Sequence, residues 1–168
     1  GPQIEQVVAG GGIVLWRVQG ARILANEVFD NLSDGIHVTG GSRDILIEGN
    51  SARGNGDDSF ASIGYLADQG RFGLNERITI RSNRSLASHA SGVAVEGSTD
   101  VTVSGNVIEA SGMAGIRIAS IGSVFNTAGV ERVQAFDNTL RRVKTRSKED
   151  HAAIMVIADS APLSGINV

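Results

Sequence analysis

The sequence has no cysteine, which excludes disulfide scaffolds, thiolate zinc sites and cysteine nucleophiles and leaves the redox compartment open. Lysine is nearly missing: Lys144 and Lys148 are the two present, and the other basic residues are arginines. With 15 basic against 18 acidic residues the net charge is −3, which argues against a dedicated nucleic-acid binder. No apolar run approaches the roughly 18 residues of a membrane helix. Proline occurs twice and aromatic residues make up 4% of the chain. Absent too are a phosphate-binding loop, a metal-binding histidine cluster and a Ser-His-Asp arrangement. What remains is a 168-residue chain, 41% hydrophobic and 20% charged, with 22 glycines. That is a globular composition, sized for a single domain spanning residues 1–168. Gly1-Pro2 has the form of a protease-cleavage scar, so the lack of an export signal says nothing about location.

The chain is built on repeats. A short unit of two alternating β-type residues, two small or polar residues and Asn ends at Asn26, Asn50, Asn83, Asn106 and Asn138, at spacings of 24, 33, 23 and 32. Two spacings are a bare repeat of about 23; the others add about ten residues, in the non-periodic stretches 65–76 and 121–131. A second unit interleaves: GIVL from Gly12, GIHV from Gly35, SFAS from Ser59, GVAV from Gly92, GIRI from Gly115 and AIMV from Ala153. These alternating runs are too short for helices and rich in Val and Ile. Two or more short strands per repeat, with no helix between them, describe one coil of a parallel β-helix, an all-β solenoid in which stacked coils share a core. The length gives about seven coils of roughly 23 residues. Ile13, Ile36, Phe60, Val93, Ile116 and Ile154 form one inward column, glycine supplies tight corners, and the Asn column hydrogen-bonds from turn to turn. An antiparallel sandwich would need several hairpin signals, and Asn55-Gly56 is the one lying between strands. The last strand, GINV, stops about three residues short of its turn Asn, which suggests a piece of a longer solenoid.

Three carboxylates stand out. Aligning the inward column puts Asp34 and Asp58 at equivalent places in adjacent coils, about 4.8 Å apart, with Asp57 one position outward. Other repeats put Gly11, Ser91, Ala114 and Ala152 in that column. Stacked acids repel one another and cost stability unless they serve a purpose. Grouped carboxylates supply a general acid with a raised pKa and a base for water, as glycoside hydrolysis requires; alternatively all three are turn residues. His37, Ala61, Ala94, Arg117 and Met155 form an outward column whose small central members leave room for a sugar, with His37 and Arg117 as polar contacts. The additions after Ile63 and Ser120 leave one sheet edge and form a groove wall, with Tyr65, Phe72 and Phe125 as stacking candidates. His151 falls in the Asp57 column but, beside Lys148–Asp150, reads as a loop residue.

The segment SDGIHVTGGSRDILIEGNSARGNGDDSFAS, residues 33–62, resembles the core of polygalacturonase-like glycoside hydrolases of the pectin-lyase-like right-handed β-helix superfamily. Ser33-Asp34-Gly35-Ile36 matches that family's Asn-Thr-Asp-Gly segment, Gly56-Asp57-Asp58 its Gly-Asp-Asp, and Gly115-Ile116-Arg117-Ile118 its Arg-Ile-Lys, with Ala119 in place of Lys. Leu32 stands where the family has Asn, and Ser91 where its Gly-His-Gly has His; His89 lies two residues earlier. Mycodextranase-like α-1,3-glucanases share the Asp and Asp-Asp spacing and are resembled equally. The resemblance implies inverting hydrolysis of a polysaccharide or oligosaccharide: Asp57 as general acid, Asp34 and Asp58 activating water, and Arg117, His37 and Tyr65 binding substrate, with no metal or other cofactor. It also implies an extracellular or periplasmic location.

Two other readings stay open. A polysaccharide lyase or uronate epimerase would use Asp34, Asp57 and Asp58 to hold Ca²⁺, with Arg117 as base. A non-catalytic β-helix of an adhesin or phage tail would bind carbohydrate or serve a structural role, because solenoids host all three.

Overall fold

The computed structural model describes residues 3–5, 10–122, 125–146 and 151–168; Gly1-Pro2 and Lys148–Asp150 lie outside them. Each repeat contributes three strands, one to each of three parallel sheets. The first sheet stacks Ile13–Trp16 (β2), Ile36–Thr39 (β5), Phe60–Ile63 (β8), Val93–Glu96 (β11), Ile116–Ser120 (β14) and Ile154–Ala158 (β17). The second stacks Arg22–Leu24 (β3), Arg43–Glu48 (β6), Asn75–Arg81 (β9), Ser98–Ser104 (β12), Val130–Phe136 (β15) and Leu163–Asn167 (β18). The third holds three-residue strands: Gln3–Glu5 (β1), Glu27–Phe29 (β4), Ser51–Arg53 (β7), Arg84–Leu86 (β10), Val107–Glu109 (β13) and Thr139–Arg141 (β16). Among the described residues each sheet thus has six strands, where the length divided by the bare repeat gave about seven coils. The added residues account for the difference, because they leave the stack instead of extending it.

The inward column is in the expected register, Ile13–Ile36–Phe60–Val93–Ile116–Ile154. Ile36, Phe60, Val93 and Ile116 are fully buried, while Ile154 at the end of the stack is 37% exposed. Each buried aliphatic side chain stabilises the fold by about 1.5–3 kcal/mol. Gly35 precedes Ile36 because a Cβ there would lie 2.6 Å from the Ser59 carbonyl oxygen of the next coil. At the corner between the second and third sheets the Asn ladder forms as expected. The Nδ2 groups of Asn26, Asn50, Asn83 and Asn106 each donate to the Oδ1 of the next Asn at 2.9–3.1 Å. Each Oδ1 also accepts the backbone N–H of the preceding Asn. Asn55 belongs to a second such pair with Asn31, at 2.9 Å, so Asn55-Gly56 marks a coil corner and not a hairpin.

Glycine supplies positive φ at corners such as Gly49, Gly54 and Gly105, but not at every left-handed position. The column Gly20, Asp44, Arg77, Asp100, Arg132, Gly165 has positive φ throughout, with glycine only at its ends. Its middle members alternate in charge: Arg77 bonds Asp44 at 2.6 Å and Arg132 bonds Asp100 at 2.7 Å. The addition after Ile63 folds into one short helix, Leu66–Phe72 (α1).

Candidate active site

The acids sit where the chain turns into the first sheet. Asp34 precedes β5 and Asp58 precedes β8, and each uses one carboxylate oxygen to extend the inter-coil ladder. The Asp58 N–H donates to Asp34 Oδ1 at 2.9 Å, and the Ser91 N–H donates to Asp58 Oδ1 at 2.6 Å. The second oxygens meet cations or donors: Asp34 Oδ2 contacts His37 Nδ1, and Asp58 Oδ2 lies 3.1 Å from Arg117 Nη2. Both acids are buried, at 4% and 1% exposure. Asp57, one position outward, is the most open of the three. One oxygen from each of Asp34, Asp57 and Asp58 lies within 4.8 Å of the others, so the neighbours inferred from the repeat are neighbours in space.

The outward column His37–Ala61–Ala94–Arg117–Met155 is also in register, but its small members do not make room for a sugar. Ala61 and Ala94 are fully buried, because the Arg117 side chain occupies that space. Its guanidinium reaches back from β14 to Asp58 and to Glu96 Oε1 at 2.8 Å. Glu96 was not read as a site residue. It is 2% exposed and stands between Ile63 and Ala119 in the next outward column. A charged residue at an outward place in VAVE, flanked by apolar partners in both adjacent coils, was the available signal.

These contacts set the titration behaviour. Burial, then the charges of Asp58 and Asp34, push Asp57 up to about 7. Burial raises Asp58 against the opposing pull of Arg117, and Glu96 is raised in the same way. Burial alone would lower Arg117, but Asp58 and Glu96 outweigh it and hold the guanidinium above its usual value. Tyr65 is raised by burial and by the surrounding acids, which keeps its hydroxyl a donor.

The two additions do form one wall. Tyr65 and Thr127 pair as an antiparallel bridge, and the Leu66 N–H donates to the Asn126 carbonyl at 2.8 Å. The groove they border has a volume of about 850 Å³ and is lined by the three aspartates, His37, Tyr65, Glu96, Arg117, Phe125 and His151, among others. Phe72 is not part of it: at the far end of α1 its ring packs under Arg17, 4.1 Å from the guanidinium carbon. His151 is a loop residue, as read, yet it reaches the groove. His89 does not; it is exposed and contacts Arg146.

Residues 11–140 match the family model described as the right handed beta helix region. The chain belongs to that right-handed β-helix family. No curated protein matches it by sequence. Among solved structures this β-helix is similar to the periplasmic alginate epimerase AlgG, at 16% identity and a TM-score of 0.63, over 96% of this chain and 38% of that one. A GH87 alpha-1,3-glucanase catalytic domain in complex with tetrasaccharides aligns at 14% identity over 92% of this chain and 46% of that one, with a TM-score of 0.31. This chain therefore spans less than half the length of either structure.

Proposed function

We propose that this β-helix hydrolyses glycosidic bonds of a polysaccharide or oligosaccharide, with Asp57 as general acid and Asp34 and Asp58 orienting the attacking water. The observation that carries the reading is the grouping of three carboxylates in one open groove, two of them buried and fixed and the third facing the cleft. An acid raised to about 7 is protonated in about half of the molecules at neutral pH, a supply of protons for a leaving oxygen. Tyr65 is a donor for substrate hydroxyls, and His37, whose Nδ1 faces the Asp34 carboxylate, offers its Nε2 as an acceptor. Arg117 is a positioning residue in this scheme: it fixes one Asp58 oxygen and opposes the rise that burial imposes on that acid.

The spacing of the acids, under 4.8 Å at closest approach, falls nearer the 5–5.5 Å of retaining glycosidases than the 6.5–9.5 Å of inverting ones. A retaining nucleophile needs a free oxygen, however, and both oxygens of Asp34 and of Asp58 are already engaged. Acids bound in this way orient water better than they attack carbon, which favours inversion. Arg117 does not suit the role of base that the lyase and epimerase readings give it. A divalent cation among the aspartates would sit beside the Arg117 guanidinium, and an arginine held charged by two acids is no base. A polymer substrate places the protein outside the cell or in the periplasm; among the described residues no helix is long and apolar enough to cross a membrane.

The test is a screen of neutral and uronic polysaccharides for new reducing ends and for the ultraviolet absorbance of an unsaturated product. Hydrolysis gives reducing ends alone, and proton NMR of the first product then shows the inverted anomer. An unsaturated product, or neither signal on any polymer, refutes the hydrolase reading.

A further inference from the structure

The insertion that presents Tyr65 to the groove carries Phe72 to its other side. There the Phe72 ring lies 4.1 Å from the guanidinium carbon of Arg17 and 5.1 Å from that of Arg71. Arg43, at the start of β6, donates from Nη2 to the Phe72 carbonyl at 3.4 Å. With Gly40 and Gly41 these residues line a second, open cleft of about 300 Å³ whose lining includes no acid. The carboxylate of Glu76, 3.6 Å from Arg43 Nε, offsets one of the three guanidiniums. In a chain of net charge −3 this is a local excess of positive charge.

Trp16 lies against Gly40, one of the residues lining that cleft. It is 61% exposed, an unusual state for the chain's single tryptophan. Its place in β2, opposite Thr39, puts it in the outward column that continues through Ile63 and Glu96, both of which line the groove. Trp16 thus shares the sheet face of the acids, two strand spacings or roughly 10 Å from the coil of Asp57 and Asp58. Gly40 makes this possible: a Cβ there would come within 2.0 Å of Trp16 Cδ1, so only glycine lets the indole lie against the backbone. An exposed indole is a platform for the apolar face of a pyranose ring. Guanidiniums beside it, with Arg17 and Arg71 stacked on Phe72, keep their N–H edges for a planar carboxylate.

We propose that Trp16, Arg17, Arg43 and Arg71 form a distal subsite for a uronic-acid residue, its ring on Trp16 and its carboxylate on the guanidiniums. The inference rests on the polysaccharide reading of the groove and adds that the polymer is acidic. The substrate then runs across the first sheet, from the terminal coil towards the acids.

Because Trp16 is the only tryptophan, its fluorescence reports on this subsite directly. The protein is titrated with hexamers of galacturonate, mannuronate and guluronate, each as the free acid and as its methyl ester. The expected result is that at least one free-acid hexamer changes the Trp16 signal and its ester does not. Binding weakens as sodium chloride is added. The double variant Arg17→Ala/Arg71→Ala, both exposed positions, binds roughly tenfold or more weakly with an unchanged circular dichroism spectrum. Asp57→Asn retains the fluorescence response; if uronates bind at Trp16 but no polymer is cleaved, the hydrolase reading fails and the subsite stands. Equal binding of acid and ester, undiminished binding by the double variant, or a response to sulfated oligosaccharides alone overturns the proposal.

Discussion

Asp57→Asn should make the protein more stable while removing its activity, and the gain should depend on pH. Asp57 moves from 3.8 in the usual carboxylate range to about 7 in the folded protein. Its folded pKa is raised, so the native state keeps a proton that the unfolded chain releases. The stability this provides is complete below about pH 4, falls as pH rises, and is lost once pH passes about 7. The full interval, about three pH units, corresponds to ~4 kcal/mol. Asp57 faces the open groove and its interactions are screened there, so ~1–2 kcal/mol is the expected penalty. Asparagine carries no charge at any of these pH values and escapes it. At ~2–4 °C per kcal/mol for a chain of this size, Asp57→Asn should melt ~2–8 °C above the parent at pH 8 and at the same temperature at pH 4. Thermal melts followed by circular dichroism at the two pH values measure this. A variant that melts lower than the parent at pH 8, or that shows the same gap at both, refutes the electrostatic account and returns Asp57 to the status of a turn residue.

Turnover by Asp57→Asn should fall more than ~10²-fold on natural polymer, and less on an aryl glycoside whose leaving group needs no proton. Asp34→Asn and Asp58→Asn should lose activity on both substrates, as initial rates will show. Arg117→Ala should leave Asp58 and Glu96 buried without their cation and cost ~3–5 kcal/mol. That loss, measured by chemical denaturation, should shrink as pH falls and the acids take up protons. Asn83→Ala removes the donors to Asn106 and Ile47 and the acceptor for Asn50. It should cost ~2–4 kcal/mol, more than Asn138→Ala at the ladder's end.

The features that read well from sequence are those the stacking itself enforces. Ile36, Phe60 and Val93 must align because a one-residue slip would turn every side chain to the other face, and the same alignment places Asp34 against Asp58. The third sheet was not anticipated because segments such as SAR and RSL are too short to carry a period; their strand geometry comes from neighbours above and below. α1 was equally silent, a seven-residue helix within an irregular addition. Glycine marked only some of the left-handed positions: Asp44, Arg77, Asp100 and Arg132 adopt that conformation within strands, held by inter-coil hydrogen bonds and ion pairs. Phe72 and Ala94 show the limit of column reasoning. A register says which residues are adjacent but not that a long arginine in the next coil will reach back across Ala94.

The bridge between Tyr65 and Thr127 also bears on how the molecule comes apart. A solenoid normally behaves as a line of units that feel only the units next to them, so it can fray one coil at a time. Here the insertion after β8 is tied to the one after β14, bypassing β11, which lies between them. The coil between cannot loosen without straining a strap anchored on both sides, so β8, β11 and β14 open as one block. That block carries Asp58, Glu96 and Arg117, so the groups of the groove should resist hydrogen exchange together.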